Sequence, residues 1–163
     1  MTIRAMQRSD FERAMEIFTQ GIDGNLATFT TAAPSWESWS AAHARECRFV
    51  ADEGGEVIGW AALTPHGGAC AYSGVAEVSI YIDGAHKGKG AGRALLKSLI
   101  DASQREGYWT LEAVIVAENA PSRALFEASG FRFVGYREKI GRTPDGVWHD
   151  TVIYERRSGA VEG

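Results

Sequence analysis

Apolar residues recur along the chain with two periods, and the changes from one to the other mark out short elements. Ile3 to Met6 reads as a strand. Ser9-Asp10 then offers an N-cap to a run with Phe11, Ala14, Met15 and Phe18 at helical spacing, which Gly21-Ile22-Asp23-Gly24-Asn25 is expected to break. After a polar-aromatic loop, Pro34-Ser35 starts a second helix with Trp36, Trp39 and Ala42 on one face. Arg48 to Asp52 and Val57 to Thr64 form a hairpin around Glu53-Gly54-Gly55. His66 to Gly74 shows no periodicity. Val75 to Ile82 alternates, with Ala76, Val78, Ile80 and Ile82 on one face and Glu77, Ser79 and Tyr81 on the other.

A glycine-rich junction leads at once into a helix with Leu95, Leu96, Leu99, Ile100 and Ser103 on one side, stopped by Gly107. Trp109 to Val116 is a strand. Asn119 caps a short helix with Pro121 in its first turn and Leu125 and Phe126 inward, ended by Gly130. Phe131 to Ile140 and Val147 to Tyr154 close a hairpin around Thr143-Pro144-Asp145-Gly146. This order predicts an α/β protein, a mixed sheet with helices on both faces. One domain is expected over residues 1–157, with a frayed tail at 158–163.

Composition narrows the function classes. The chain of 163 residues suits one domain with a sizeable core, and its net charge of −4 argues against nucleic-acid binding through a basic surface. Cys47 and Cys70 have neither metal nor redox spacing, so no metal is expected and a reduced, cytoplasmic setting is. The first residues, MTIRAMQRSDFERAM, lack the apolar stretch of a signal peptide, and no run is long enough to span a bilayer, so no membrane partner is expected.

The candidate chemistry lies in the stretch EVSIYIDGAHKGKGAGRALLKSLI, Glu77 to Ile100. A helix N-terminus leaves N–H groups unpaired and attracts anions, and glycines let the backbone approach one closely. A Walker A loop fails here, because Asp83 stands where its first glycine should be and Gly90 follows Lys89. The dinucleotide fingerprint fails because its third glycine is replaced by Arg93. A pyrophosphate grip for a coenzyme A thioester fits Lys87-Gly88-Lys89-Gly90-Ala91-Gly92. The bland alternative is a turn that needs positive φ and nothing more.

VSIYIDGAHKGKGAGRALLKSLI resembles the acetyl-coenzyme A motif of the GNAT superfamily of N-acetyltransferases. GVAEVSIYI, ENAPSRALFEASGFRFVGYREKIG followed by WHD, and ATFTTAAPSWESW resemble its phosphinothricin and methionine sulfoximine N-acetyltransferase branch. The similarity runs from about Ile3 to Arg157, with the pieces in order. It implies the GNAT fold, acetyl-coenzyme A as co-substrate, a small-molecule amine as acceptor and, since the branch commonly pairs subunits, a homodimer.

By the same resemblance, Ile80, Tyr81 and Ile82 would pair with the pantetheine arm, Lys87 and the N–H groups from Gly88 through Lys89, Gly90, Ala91 and Gly92 to Arg93 would hold the pyrophosphate, and Asn119 and Ser122 would add cofactor contacts. Glu77 matches the catalytic glutamate, a base for an amine that is mostly protonated at neutral pH. By its own pattern it also suits the wet face of a strand. Phe29, Tyr72 and His149 match pocket residues, with core packing (Phe29, Tyr72) or a structural strand histidine as the alternatives, and the Val78–Ile80 segment, including Ser79, would offer an N–H to the developing oxyanion. Trp36 and Trp39 read as core or dimer packing.

Two departures stand out. Phe126 occupies the place of the usual tyrosine acid, leaving departure of the thiolate unaided, or Tyr81 or Tyr72 as donor. Ala69 replaces an arginine that clamps a carboxylate in close relatives, with Arg137, Lys139 or Arg142 as possible substitutes. The acceptor is therefore open between an amino acid or analogue, such as phosphinothricin or methionine sulfoximine, and a polyamine, aminoglycoside or protein N-terminus. A coenzyme A sensor without turnover and a scaffold that kept only the fold are the rivals from other classes.

Overall fold

The computed structural model describes residues 1–24, 26–68 and 70–160. The strands are β1 (Thr2–Ala5), β2 (Arg48–Glu53), β3 (Glu56–Pro65), β4 (Val75–Ile82), β5 (Thr110–Val116), β6 (Arg132–Arg142) and β7 (Trp148–Arg157); the helices are α1 (Phe11–Asp23), α2 (Trp36–Ala42), α3 (Ala91–Arg105) and α4 (Ala120–Ala128). All seven strands join one sheet in the order β1-β2-β3-β4-β5-β7-β6. Among the described residues, only β4 and β5 pair in parallel. This is the mixed α/β architecture expected.

The alternation of β4 divides two cores. Ala76 and Val78 pack with Leu95, Leu96 and Leu99 of α3 on one face. Tyr81 joins Ala14, Ile17 and Phe18 of α1, Trp39 of α2 and Trp60 on the other. Each of those leucines is fully buried, a gain of about 2 kcal/mol apiece over an exposed side chain. Trp39 is buried and stacks on Trp36, so this pair packs within the chain.

Strands β6 and β7 run to Arg142 and Arg157, beyond the expected Ile140 and Tyr154, and three other features differ from expectation. Helix α1 continues through Gly21 to Asp23. Gly21 serves a close approach: a Cβ there would lie 3.0 Å from the Ala27 side chain and 3.2 Å from the Tyr81 ring. Between β3 and β4, Cys70–Tyr72 forms a short 3-10 turn. Ser158 is buried and its N–H donates to the Trp109 carbonyl, so a tail begins no earlier than Gly159.

Candidate acetyl-transfer site

The site begins where two strands part. The β4–β5 ladder has three rungs, Val75↔Thr110, Ala76↔Leu111 and Glu77↔Glu112. Beyond them β4 stays with β3 as far as Ile82, while β5 stays with β7 to the rung Val116↔Thr151. The backbone of β4 after Glu77 thus has no strand partner on its β5 side, and buried peptide groups call for partners. An extended chain carrying amides can supply them by strand addition. The gap is a cleft of about 190 Å³ whose lining includes Glu77, Val78, Ser79 and Ile80 from β4, with Phe29 in the loop above and Phe126 from α4.

A groove of about 420 Å³ continues from the cleft. Its walls include Ile80, Tyr81 and Ile82, then Lys87, Gly88, Gly90, Ala91, Gly92 and Arg93, and finally Asn119 and Ser122. Lys89 alone of the expected cofactor residues does not line it. Ile80, Tyr81, Asn119 and Ser122 border both spaces, which makes one path from the glycine loop to Glu77.

The loop is built to stay open. Gly88 and Gly90 have φ of 76° and 88°, the left-handed region that L-residues enter at a cost. Gly90 is the N-cap of α3 and supplies no side-chain cap, while its carbonyl accepts the first helical bond, from Ala94 N–H. The N–H groups of Ala91, Gly92 and Arg93 therefore have no acceptor within the helix. Together with the unpaired edge of β4, this cradle fits a diphosphate joined to an amide-bearing arm.

The loop is also pinned. Gln20 of α1 donates to Asp83 Oδ1 at 2.8 Å and accepts from Gly84 N–H at 2.8 Å, and Arg13 pairs with Asp83 at 3.2 Å. The Gln20 amide first, and His86 next, hold the Asp83 carboxyl down at about 2. Gln20 carries no local signal in the sequence, and Asp83 enters there only as the residue that rules out a Walker A loop.

Asn119 does two things. Its Oδ1 accepts from Ser122 N–H at 3.3 Å, the cap expected, and its Nδ2 donates to Leu26 O at 3.2 Å, tying α4 to the loop over the cleft.

Glu77 lies on the last parallel rung and lines the cleft, an aromatic chamber of about 390 Å³ and a smaller space beside His66. It remains open to solvent. Even so, the protein packed around it displaces enough water to push its carboxyl above the ordinary carboxylate range. The Glu112 carboxylate directly across adds to the rise, and Arg137 and His66 offset part of it. Glu112 was not anticipated from sequence, because its nearness to Glu77 comes from strand register alone.

Phe29, Val78 and Ser79 line the cleft. His149 does not: it is buried, with Nδ1 3.3 Å from Glu118, Nε2 3.3 Å from Thr143 and its ring 6.1 Å from that of Phe29. Tyr72 is 55% exposed, leans its ring against His66 at a tilt and borders neither space. The Tyr81 ring stacks on Trp60 and meets Phe18 edge to face; burial pushes its hydroxyl up to about 12, against a hydrogen bond with Thr28. Ala69, where an arginine was looked for, lies outside the described residues. Among the described residues no cluster could hold a metal ion, and no helix is long and apolar enough to cross a membrane.

The acetyltransferase (GNAT) family matches residues 11–131. The chain belongs to that family. It is an acetyl-coenzyme A-dependent N-acetyltransferase, similar over 89% of its length, and 94% of the relative's, to YwnH of Bacillus subtilis (strain 168), at 34% identity; YwnH is provisionally named a phosphinothricin acetyltransferase. It is 30% identical to the L-methionine sulfoximine/L-methionine sulfone acetyltransferase of Salmonella typhimurium (strain LT2), over 95% of this chain and 93% of that one. The crystal structure of a GNAT superfamily phosphinothricin acetyltransferase from Sinorhizobium meliloti, in complex with acetyl-coenzyme A, superposes with a TM-score of 0.86 at 29% identity, covering 99% of this chain and 91% of the other.

Proposed function

We propose that this acetyltransferase acts on the primary amine of a small molecule, an amino acid or analogue such as phosphinothricin or methionine sulfoximine, with Glu77 as general base. One observation carries the assignment: the parallel ladder ends at Glu77, which places the carboxylate beside the gap that joins the glycine-loop groove. Backbone N–H groups of the loop hold the pyrophosphate, the free edge of β4 pairs with the pantetheine arm, and Asn119 and Ser122 close the groove. The amine attacks the thioester carbonyl, Glu77 takes its proton, and an N–H of the Val78–Ile80 segment steadies the oxyanion. A raised carboxyl pKa suits this work, since it narrows the gap to the amine.

The acceptor's carboxylate needs a counter-charge. Of Arg137, Lys139 and Arg142, Arg137 acts on Glu77 electrostatically, whereas Arg142 turns to Gly146 O and the Trp148 ring. Arg137 is therefore the chosen partner. A second reading, a cationic acceptor, is favoured by the paired carboxylates Glu77 and Glu112 and by the absence of Lys, Arg and His among the described residues lining the cleft. Assembly as a cytoplasmic homodimer fits a row of half-exposed apolar residues on the edge hairpin, among them Phe133, Tyr136, Ile140 and Trp148.

The deciding experiment is Glu77→Gln assayed by thiol release across amino-acid analogues and polyamines. Turnover should fall by about 10²–10⁴ with acetyl-coenzyme A affinity nearly kept. Wild-type kcat should rise with pH through a limb above the ordinary carboxylate range, and the variant should lose that limb. Wild-type turnover in the variant would remove Glu77 from the mechanism.

A further inference from the structure

The transfer reaction asks more of Glu77 than a single proton. At neutral pH a primary amine arrives mostly as an ammonium ion, and its nitrogen must shed two protons to become an amide nitrogen. The first has to leave before the lone pair can attack, the second as the C–N bond forms. One carboxylate can take both only if it is emptied in between, while cofactor and acceptor are still in place.

Glu77 borders three spaces, and the reaction uses two of them. The cleft receives the thioester end of the coenzyme. The aromatic chamber shares Thr28, Glu77, Ser79 and Tyr81 with the cleft, so an amine beside Glu77 lies where the two meet. The third space, of about 200 Å³, has only Glu77 in common with either, and it has room for several waters. Its walls include the exposed His66 and Gly67 of the loop after β3 and, from β5, Glu112. Once cofactor and acceptor fill the first two spaces, the third keeps Glu77 in touch with solvent.

Glu112 is placed to receive a proton there. It stands opposite Glu77 on the last parallel rung. On its other flank its register partner is Glu155 of β7, whose carboxylate is bridged by Arg132 of β6. No salt bridge engages Glu112 among the described residues. The charged groups that act on Glu77 are Glu112, Arg137 and His66, and Glu112 is the one anion of the three. Tyr81 also feels the Glu77 charge, but its hydroxyl, pushed up to about 12, stays protonated.

We propose that Glu112 is a proton relay that empties Glu77 through this third space within each turnover, resting on the mechanism given above. Glu77 takes the first proton from the ammonium ion and passes it through water to Glu112, which releases it to solvent beside His66. Ionised again, Glu77 takes the second proton as the nitrogen lone pair forms the C–N bond and the carbonyl pair moves onto oxygen. That pair returns as the C–S bond breaks with its electrons on sulfur, and the thiolate takes a proton from solvent. Glu77 unloads its second proton by the same route, so each turnover releases one proton net. Glu112 touches neither substrate; it is a positioning residue that acts through Glu77.

The test is Glu112→Gln, with Glu112→Ala as a second variant that leaves room for a small base in the space. In both, kcat for a primary amine should fall about tenfold or more, and the solvent deuterium isotope effect on kcat should rise to about two or more. Added imidazole should restore much of the loss, most fully in the Ala variant. With an aminooxy acceptor, which arrives neutral and has one proton fewer to lose, kcat should stay within about threefold of wild type. Without the Glu112 charge the Glu77 carboxyl falls back toward the ordinary range, so the acidic limb of kcat should move to lower pH. Wild-type kcat in a folded Gln or Ala variant would overturn the relay, and so would a loss that imidazole leaves in place. Wild-type turnover in Glu77→Gln would instead overturn the reading on which the relay rests.

Discussion

Two helix N-termini face the same groove and are finished in opposite ways. At α4, Asn119 turns its own side chain onto Ser122 N–H and also reaches Leu26 O. At α3, the longer helix, Gly90 supplies no side-chain cap and enters through left-handed backbone. Capping a helix ordinarily stabilises it by about 1 kcal/mol, so a bare N-terminus forgoes stability that a Ser or Asp would provide. What α3 keeps in exchange is an unscreened row of N–H groups and the positive end of fifteen aligned peptide dipoles. One junction is closed for stability, the other held open for an anion.

The sharpest way to break this contrast is Gly90→Val. A β-branched residue at φ 88° has to distort the turn, and acetyl-coenzyme A affinity measured by calorimetry should fall by about a hundredfold or more, with Tm lowered. Unchanged affinity would mean that the open end does not hold the cofactor. Asn119→Ala tests the closed end. It removes the cap and the tie to Leu26, and should cost about 1–2 kcal/mol in denaturant unfolding while weakening the cofactor only severalfold. A larger loss of binding than of stability would make Asn119 a ligand first and a cap second. Lys89→Ala should have the smallest effect, below about threefold in affinity, because Lys89 does not line the groove and exposed charges are well screened. A tenfold loss would show that charge, more than backbone geometry, makes the grip.

Much of this site could be read in the sequence because its signals are local. The alternation of Val75 to Ile82, the glycines at 88 and 90 and the capping pattern at Asn119 each specify a conformation within a few residues, and the elements formed nearly where the pattern put them. Where the reading slipped, a long-range contact had taken over. Gly21 looked like a helix break but makes room for Ala27 and Tyr81, and Tyr72, near Glu77 in sequence, turns outward onto His66.

The sequence by itself determined the strand that carries Glu77, the open glycine junction behind it and the family to which both belong, since each is written in adjacent residues whose backbone preferences need no distant partner. Tertiary structure alone decided where the β4–β5 ladder stops, which carboxylate stands beside Glu77, and how Gln20 and Asp83 pin the loop. Those facts depend on register between strands far apart in the chain. A shift of one residue would exchange every face, and no short window of sequence carries that information.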